Sequence, residues 1–536
     1  MSLSSPSSLP VHDPQALEHS YRAARQAGEE AGFADAIEQR YAATPNDVLL
    51  AAWHYRLQAV TREVKQRVIA WGWALPLALL NALLLWILSD MDRFSVQVRN
   101  PFANTYNAEV PLLALLGAPI SLALIAVFVA GAGKQRWPRV AAMVAGTAAA
   151  ALYVMLTYGQ LWPPRFQEQY LALAMLHLAL LAWIGAGAVM LARLSDASGR
   201  FAVLVKSLET AVMGGVLAVA GGIFIAVTVG LFNAINVTLP DGVMRLLAAG
   251  GGGLLPVLAA ALIYEPQREP QEQPFDEGLH KLIALMLRLL LPLSILVLAI
   301  YLAFIPFNWR AAFDNRDVLI TYNAMLFAVI ALLVGVTPLQ DDQPGRQVQT
   351  WLRRGVITLS ALALLVSLYA LAAIISRTIS DRFTPNRFIF IGWNVVNVMV
   401  LALLLARQLA AGRSRWLPAI HSVFATGITL YLIWALLALM LTPWLFRGNP
   451  ADAAGLPLTV QTLLAERRDP VLLKCADSPH IYLLQNTNKR WVKDIATFEQ
   501  QNYRWSDVMI LYNCDDVRAI PDGPPIPPDA GPPPLP

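Results

Sequence analysis

Charge is what this sequence has least of. Only 14% of its 536 residues are Asp, Glu, Lys or Arg, and 57% are hydrophobic; a soluble domain usually carries about 25% charged residues. Too little polar surface exists to wet a chain of this size, which excludes an ordinary soluble enzyme, a disordered protein, a coiled coil and a collagen. The 40 basic and 36 acidic residues are spread along the chain for a net charge of +4. The clustered basic stripe that phosphate backbones require is missing, so no nucleic-acid partner is expected. Histidine (seven) and cysteine (two) are equally scarce. There is no Walker A loop, HExxH, GxSxG or Cys/His spacing suited to a metal. No catalytic residue, cofactor or metal is expected, and the reading leans away from an enzyme.

What the chain has in abundance is long apolar runs. A spanning helix needs about 20 mostly apolar residues, and eleven such runs occur: Arg67–Leu88, Val110–Ala132, Val140–Leu161, Tyr170–Leu191, Glu209–Ile235, Val243–Tyr264, Leu282–Ile305, Val318–Val336, Gly355–Ile375, Phe388–Ala406 and Leu417–Phe446. The expected fold is an all-α polytopic membrane bundle of about eleven transmembrane helices, with a small α+β C-terminal module. An odd count puts the two ends on opposite sides of the bilayer. Basic residues in short loops set which is which. With the N-terminus inside, seventeen Lys and Arg between Arg62 and Arg415 fall on inner flanks, against ten on outer flanks (Arg93, Arg99, Arg165, Arg245, Arg310, Arg316, Arg377, Arg382, Arg387 and Arg447). The expectation is therefore a multi-pass protein of the bacterial cytoplasmic membrane, N-terminus cytoplasmic and C-terminus extracytoplasmic.

Residues 1–66 precede the 67–446 bundle and carry no signal peptide, since no apolar stretch follows a basic start. Helix formers run from Gln15 to Arg40; a second stretch starts at Asn46 as N-cap, with Leu49, Trp53 and Leu57 at helical spacing. They read as a cytoplasmic helical collar on the membrane surface, with a partner-docking helix as the alternative.

Charged side chains inside spans are functional candidates by default. Acids are nearly absent there: Glu209 sits at the inner end of the fifth span and Glu109 at the outer mouth of the second. Arg288 in the seventh span is the anomaly, read as snorkelling to the interface or else as a substrate contact. His177, Asn81, Asn394, Asn397 and His421 are polar at depth; Asn394 and Asn397, three apart, share a helix face and either bond neighbouring helices or line a polar cavity. The glycines of the sixth span, Gly250 to Gly253, permit close packing or a broken helix.

Between spans nine and ten the loop carries Arg377, Asp381, Arg382, Thr384, Pro385, Asn386 and Arg387, the Thr-Pro-Asn-Arg turn presenting Asn386 and Arg387 at the start of the tenth helix. With Tyr369 and the helix Leu290 to Ile305, these residues give the chain its resemblance to a bacterial polytopic membrane family, domain-of-unknown-function family 4153. Its sharp part is about twenty residues, and Arg382-Phe383 stand where that family has glycine before the turn. The resemblance implies a many-helix integral membrane protein and brings no substrate with it. The neighbouring outer loop holds Arg310, Asp314, Arg316 and Asp317. Together the loops can bind an anionic headgroup or glycan, since guanidinium pairs bidentately with phosphate and carboxylate; otherwise they bridge one another and anchor helix ends.

After a connecting helix within 447–468, strands are expected at Val471–Lys474, Ile481–Leu484, Arg490–Val492 and Val508–Leu511, with a helix from Asp494 through Gln501, in a compact module over 469–522. Both cysteines, Cys475 and Cys514, lie here. Outside a bacterial membrane they form a disulfide; two free buried thiols are the alternative. Residues 523–536 read as an extended proline-rich tail, a solvated end in preference to a protein ligand.

Three functions remain open. The first is a non-enzymatic envelope scaffold or sensor displaying the module and the arginine loops. The second is a transporter or channel for a small or amphipathic solute; the third is an outer-leaflet lipid- or glycan-processing enzyme. The expected partners are the lipid bilayer and an envelope glycan, lipid headgroup or protein.

Overall fold

The computed structural model describes residues 13–27, 30–63, 69–99, 106–134, 136–275, 278–314, 316–339, 346–380, 383–412, 415–448, 455–466, 471–485, 487–501 and 503–534. They fall into two compact units, Met1–Ala70 and Trp71–Pro536.

The first unit is three helices, α1 (Pro14–Ala27), α2 (Glu30–Ala43) and α3 (Val48–Glu63). Where the sequence suggests one stretch from Gln15 to Arg40, the structure has two helices. Asp47, not Asn46, caps α3, its carboxylate accepting from the Leu49 N–H at 2.9 Å. Leu17, Tyr21, Phe33, Ile37, Leu50, Trp53 and Leu57 form one core, with Tyr21, Phe33 and Trp53 in mutual ring contact at 5.4–5.8 Å. The helices thus bury apolar faces in each other.

The second unit contains eleven helices, among the described residues, long and apolar enough to cross a membrane. In chain order they are α4 (Trp71–Leu88), α5 (Leu112–Ala132), α6 (Trp137–Thr157), α7 (Pro164–Met190) and α8 (Ala197–Ala234). Next is a composite of α9 (Asp241–Arg245), a π-helical turn (Leu246–Gly250) and α10 (Gly251–Ile263). α11 (Gly278–Phe304) is followed by the single turn α12 (Ala311–Asp314), then by α13 (Arg316–Val336), α14 (Arg346–Ser380), α15 (Pro385–Ala411) and α16 (Trp416–Leu445). Every expected span is present, most of them longer than the apolar runs. The 38 residues of α8 extend about 57 Å, nearly twice the roughly 30 Å hydrocarbon thickness. Its first turns are in the core through Phe201, Ala202 and Val205. Beyond Glu209 it leans on α10 and turns Val216, Val219, Ile223 and Phe224 outward, the face a helix offers to lipid.

The glycine run does not break the sixth span; it brings helices together. A Cβ on Gly253 would sit 2.8 Å from Ala82 Cα and 3.1 Å from Ala82 N, so only glycine lets α10 lie directly on α4. The contact is locked by Asn81, fully buried, whose amide donates to Gly253 O at 2.7 Å and to Ser121 Oγ of α5 at 2.9 Å. Gly253→Ala meets backbone that cannot step aside cheaply. It is expected to cost about 1–3 kcal/mol, read as a lower melting temperature in detergent, whereas Gly252→Ala, with open space at its Cβ, should be nearly silent.

A two-stranded hairpin, β1 (Ser95–Arg99) and β2 (Tyr106–Pro111), occupies what the sequence offers as an outer loop. Its Val96, Val98 and Val110 cover the core formed by α5, α6, α7 and α16. At the same end the chain leaving α16 is stitched to the start of α7: Leu161 bridges Arg447, and the Trp162 N–H donates to Phe446 O at 3.2 Å.

From there α17 (Leu458–Glu466) leads to the module. Its sheet has the order β5-β4-β3-β6, with β3 (Val471–Cys475), β4 (Ile481–Gln485) and β5 (Asn488–Val492) antiparallel and β6 (Val508–Leu511) parallel to β3. α18 (Ile495–Gln500) makes the crossover, capped by Asp494 accepting from Thr497 N at 2.7 Å, and α19 (Cys514–Arg518) follows β6. The expected strands and helix are all there. α17 and α19 pack Val460, Leu463 and Val517 on one face of the sheet, where Trp162 of the bundle joins the same cluster. α18 covers the other with Phe498.

The proline-rich segment is not a free solvated end. Lys489 N donates to Pro521 O, Gly523 N to Lys489 O and Ile526 N to Trp491 O at 2.7–2.8 Å, so residues 521–526 lie along β5 as an irregular parallel strand. Ile526 is buried in the module core, and Arg490 Nε donates to Pro524 O at 2.8 Å. Proline suits this edge because its carbonyl still accepts while its missing N–H leaves nothing for a further strand to pair.

Candidate functional site

Three of the polar side chains expected at depth, His177, Asn394 and Asn397, meet through α15, whereas Asn81 bonds α5 and α10 and His421 stacks on Phe201. His177 lies at the centre of α7, Asn394 and Asn397 near the centre of α15, Tyr431 at the centre of α16, and Asn323 about one turn from the centre of α13. His177 Nδ1 is 2.7 Å from Leu173 O, and its Nε2 accepts from Trp393 Nε1 at 3.2 Å; the neutral tautomer protonated at Nδ1 satisfies both. Asn394 donates to Asn323 Oδ1 and to Phe390 O, each at 2.8 Å. Asn397 accepts from the Tyr431 hydroxyl at 2.7 Å. The two asparagines therefore bond opposite neighbours, tying α15 to α13 and to α16, while Trp393 ties it to α7. Asn394 Oδ1, Asn397 Nδ2 and Trp434 Nε1 are buried without a hydrogen-bond partner among the described residues. Trp434 lies flat on Gly392, where a Cβ would meet its ring at 1.8 Å. Asn323, Tyr431 and Trp434 were not legible as members, because one Asn or aromatic in an apolar run is indistinguishable from ordinary packing.

The two arginine-bearing loops share one end of the bundle. Tyr369 of α14 donates to Trp309 O at 2.6 Å, and Trp309, Phe313, Tyr369 and Tyr322 follow one another edge to face at 5.6–6.0 Å. Arg310 lies 5.5 Å above the Trp309 ring. Thr384 caps α15 with Pro385 in its first turn, so Asn386 and Arg387 do begin that helix. The Arg387 guanidinium donates to Arg377 O at 3.1 Å, closing the C-terminal end of α14, where a cation complements the helix dipole. For Arg387 the anchoring role is the one observed. Asp381 and Arg382, and the side chains of Asp314, Arg316 and Asp317, lie outside what the structure describes. Arg288 is half-buried in α11, with its Nε sealed and unbonded among the described residues.

The opposite end holds two ionic clusters; the sequence reading counts their basic residues as inner flank, places Glu209 at the inner end of the fifth span and does not single out Glu269. Lys206 and Glu209, one turn apart on α8, pair at 3.0 Å with side chains 5% and 3% exposed. Lys206 Nζ also donates to Pro274 O at 2.9 Å and lies 4.4 Å above Phe275. Nearby, Glu269 accepts from Lys134 at 2.6 Å and Arg136 at 2.5 Å. Arg136 and Arg139 reach the last carbonyls of α7, with Arg139 3.1 Å from Ala188 O and Arg136 3.2 Å from Val189 O. Burial pushes the Glu269 carboxyl up, but the bonds from Lys134 and Arg136 outweigh it and hold it below its ordinary value. A depressed carboxylate stabilises the fold above its unfolded pKa of about 4.3 and loses that contribution as pH falls through the folded value. Acidification from pH 5 toward 3 should free the 264–275 segment to a protease, and Glu269→Gln should leave that segment cleavable at neutral pH with little further change on acidification.

In the module the Cys475 and Cys514 sulfurs are at bonding distance, with Cα atoms 5.1 Å apart. Asp477 Oδ2 is 3.6 Å from Cys514 Sγ. Cys475, Asp477 and Cys514 are the His/Cys/Asp/Glu group, among the described residues, that is close enough to hold a metal ion; the disulfide leaves it no thiolate ligands. No protein-family model matches the chain, and no curated protein or solved structure resembles it.

Proposed function

We propose that this integral membrane protein is a non-enzymatic scaffold or sensor of a bacterial cytoplasmic membrane, displaying its C-terminal module on the extracytoplasmic side with the N-terminal helices inside. The observation that carries this reading is how the module is held. Its core runs through α17 to Trp162, and Gly448 lies against Trp162 so closely that a Cβ there would be 2.6 Å from it. A presented domain needs such a fixed seat; a merely tethered one does not. The odd number of crossing helices, the seventeen-to-ten basic asymmetry and a cysteine pair suited to an oxidising compartment support the orientation. An envelope glycan, lipid headgroup or protein is the proposed ligand of the displayed face. The distant relationship to family 4153, resting on Tyr369 to Arg387, belongs to the same proposal.

The test uses the two cysteines as the chain's whole thiol content. Intact cells are treated with a membrane-impermeant maleimide before and after reduction. Mass added only after reduction is the expected result. Labelling that requires lysis would put the module inside and end this reading.

A transporter is favoured by one observation, the unpartnered Asn394, Asn397 and Trp434 atoms at the centre of the bundle, since substrate sites of carriers lie near the midplane. Loss of a solute flux in Asn394→Leu and Asn397→Leu, with the protein still folded, is its test.

A further inference from the structure

Between the last turns of α7, the first turns of α8 and the middle of α16 lies a groove open along one side. Trp183, Gly187, Leu191, Leu194 and Ile428 line it, and Arg200 is its one charged lining residue. At its floor α7 and α8 pack closely, a Cβ on Gly187 coming within 3.0 Å of Val203 Cγ1. Its polarity runs along its length. Trp183 lies about 10 Å inside the end of α7, and Arg200 only about 5 Å from the start of α8, by the helical rise.

Arg200 is held rigidly at the mouth, donating to Ala425 O at 2.9 Å and Thr429 Oγ1 at 3.1 Å. Those bonds use two of its five N–H groups. Arg193 is exposed in the adjoining turn, and Arg139 reaches Ala192 O at 3.0 Å. Asp196, which caps α8, is turned to that helix, accepting from Ser198 N at 3.1 Å. An apolar trough within the membrane, ending in fixed and exposed guanidinium groups at headgroup depth, is complementary to an amphiphile with an anionic head.

We propose that this groove is a binding site for an anionic phospholipid, one acyl chain lying along Trp183 and Ile428 and the phosphate at Arg200. Bulk lipid covers any apolar surface without regard to headgroup; this site selects by charge. Basic pockets between membrane helices bind anionic headgroups for the same reason.

The experiment is native mass spectrometry of the full-length protein extracted from vesicles of equal phosphatidylglycerol and phosphatidylcholine. One basic contact is worth about 1 kcal/mol, so retained phosphatidylglycerol should exceed phosphatidylcholine by about fivefold. Arg200→Gln should bring the two to parity. Ala188→Phe, which fills the groove and leaves every guanidinium in place, should lose the retained lipid of both kinds. Soluble glycerol phosphate should displace nothing, because it has no chain for the trough. Equal retention of both lipids by the wild-type protein overturns the proposal. So does a preference that survives in folded Arg200→Gln, or displacement by glycerol phosphate. If Arg200→Gln fails to fold, the wild-type ratio and the Ala188→Phe protein still decide the question.

Discussion

Reducing the Cys475–Cys514 bond is expected to weaken the C-terminal module by about 4 kcal/mol, the chain-entropy value for closing a loop of about 40 residues. The two cysteines are 39 positions apart, and between them lie β4, β5, α18 and β6, most of the sheet. The bond joins the end of β3 to the first turn of α19, holding together the pair of strands that are parallel. A parallel pair has no tight hairpin to close it and depends on distant sequence coming back, so this is where a cross-link gains most. A loss of 4 kcal/mol raises the opened population about a thousandfold. Hydrogen exchange of Leu472 to Lys474 and Val508 to Leu511, followed with and without reductant, should show that change. The double Cys475→Ser, Cys514→Ser protein should exchange as the reduced form does. Unchanged exchange on reduction would mean that the module stands on its own core and on the seat provided by α17.

Lys206→Met is expected to be the most damaging single substitution in the bundle, costing about 3–5 kcal/mol. The Lys206–Glu209 pair is almost wholly inaccessible, and removing the ammonium takes from a carboxylate in a low-dielectric site a charge that offsets its desolvation. Packing is lost as well, since the Lys206 head covers Phe275 and holds the Pro274 carbonyl. Replacing both charges, as in Lys206→Met with Glu209→Leu, should recover most of the loss, because well-packed apolar substitutes for a buried pair are often neutral or stabilising. Melting temperatures of the two single variants and the double variant in one detergent close the cycle. Additive losses would show that the ion pair is not the coupled unit described above.

Much of the fold was legible because the membrane imposes its own pattern. Twenty apolar residues in a row have few other stable conformations when every backbone group must be bonded within its own segment, and all eleven runs became helices. Thr384-Pro385 marked the start of α15 by local chemistry that does not depend on context. The strands of the module followed the same way, from alternation and turn residues. Lys206 was counted as inner flank and Glu209 as the end of the fifth span, and their pairing went unread because helix length beyond the hydrocarbon leaves no mark in composition. The hairpin at Ser95–Pro111 was missed for a related reason: its valines are too few to register beside the long apolar runs on either side.

The amino-acid sequence by itself determined that this is a multi-helix membrane protein, which of its segments are long and apolar enough to cross a membrane, and where a small cysteine-bearing module begins. Those properties depend on one-dimensional quantities: run length, residue spacing and charge density. Tertiary structure alone decided the rest. It turned Asn394 and Asn397 to different neighbours, brought His177 to Trp393 across 216 positions, and laid the proline segment along β5. It also opened a groove where Arg200 meets apolar helix. Each of these depends on which helix faces join, and in an apolar bundle that choice is helped by small residues: Gly253 admits the backbone of α4, Gly187 the side chain of Val203 and Gly392 the ring of Trp434. A glycine records that contact is permitted; only the folded chain shows with what.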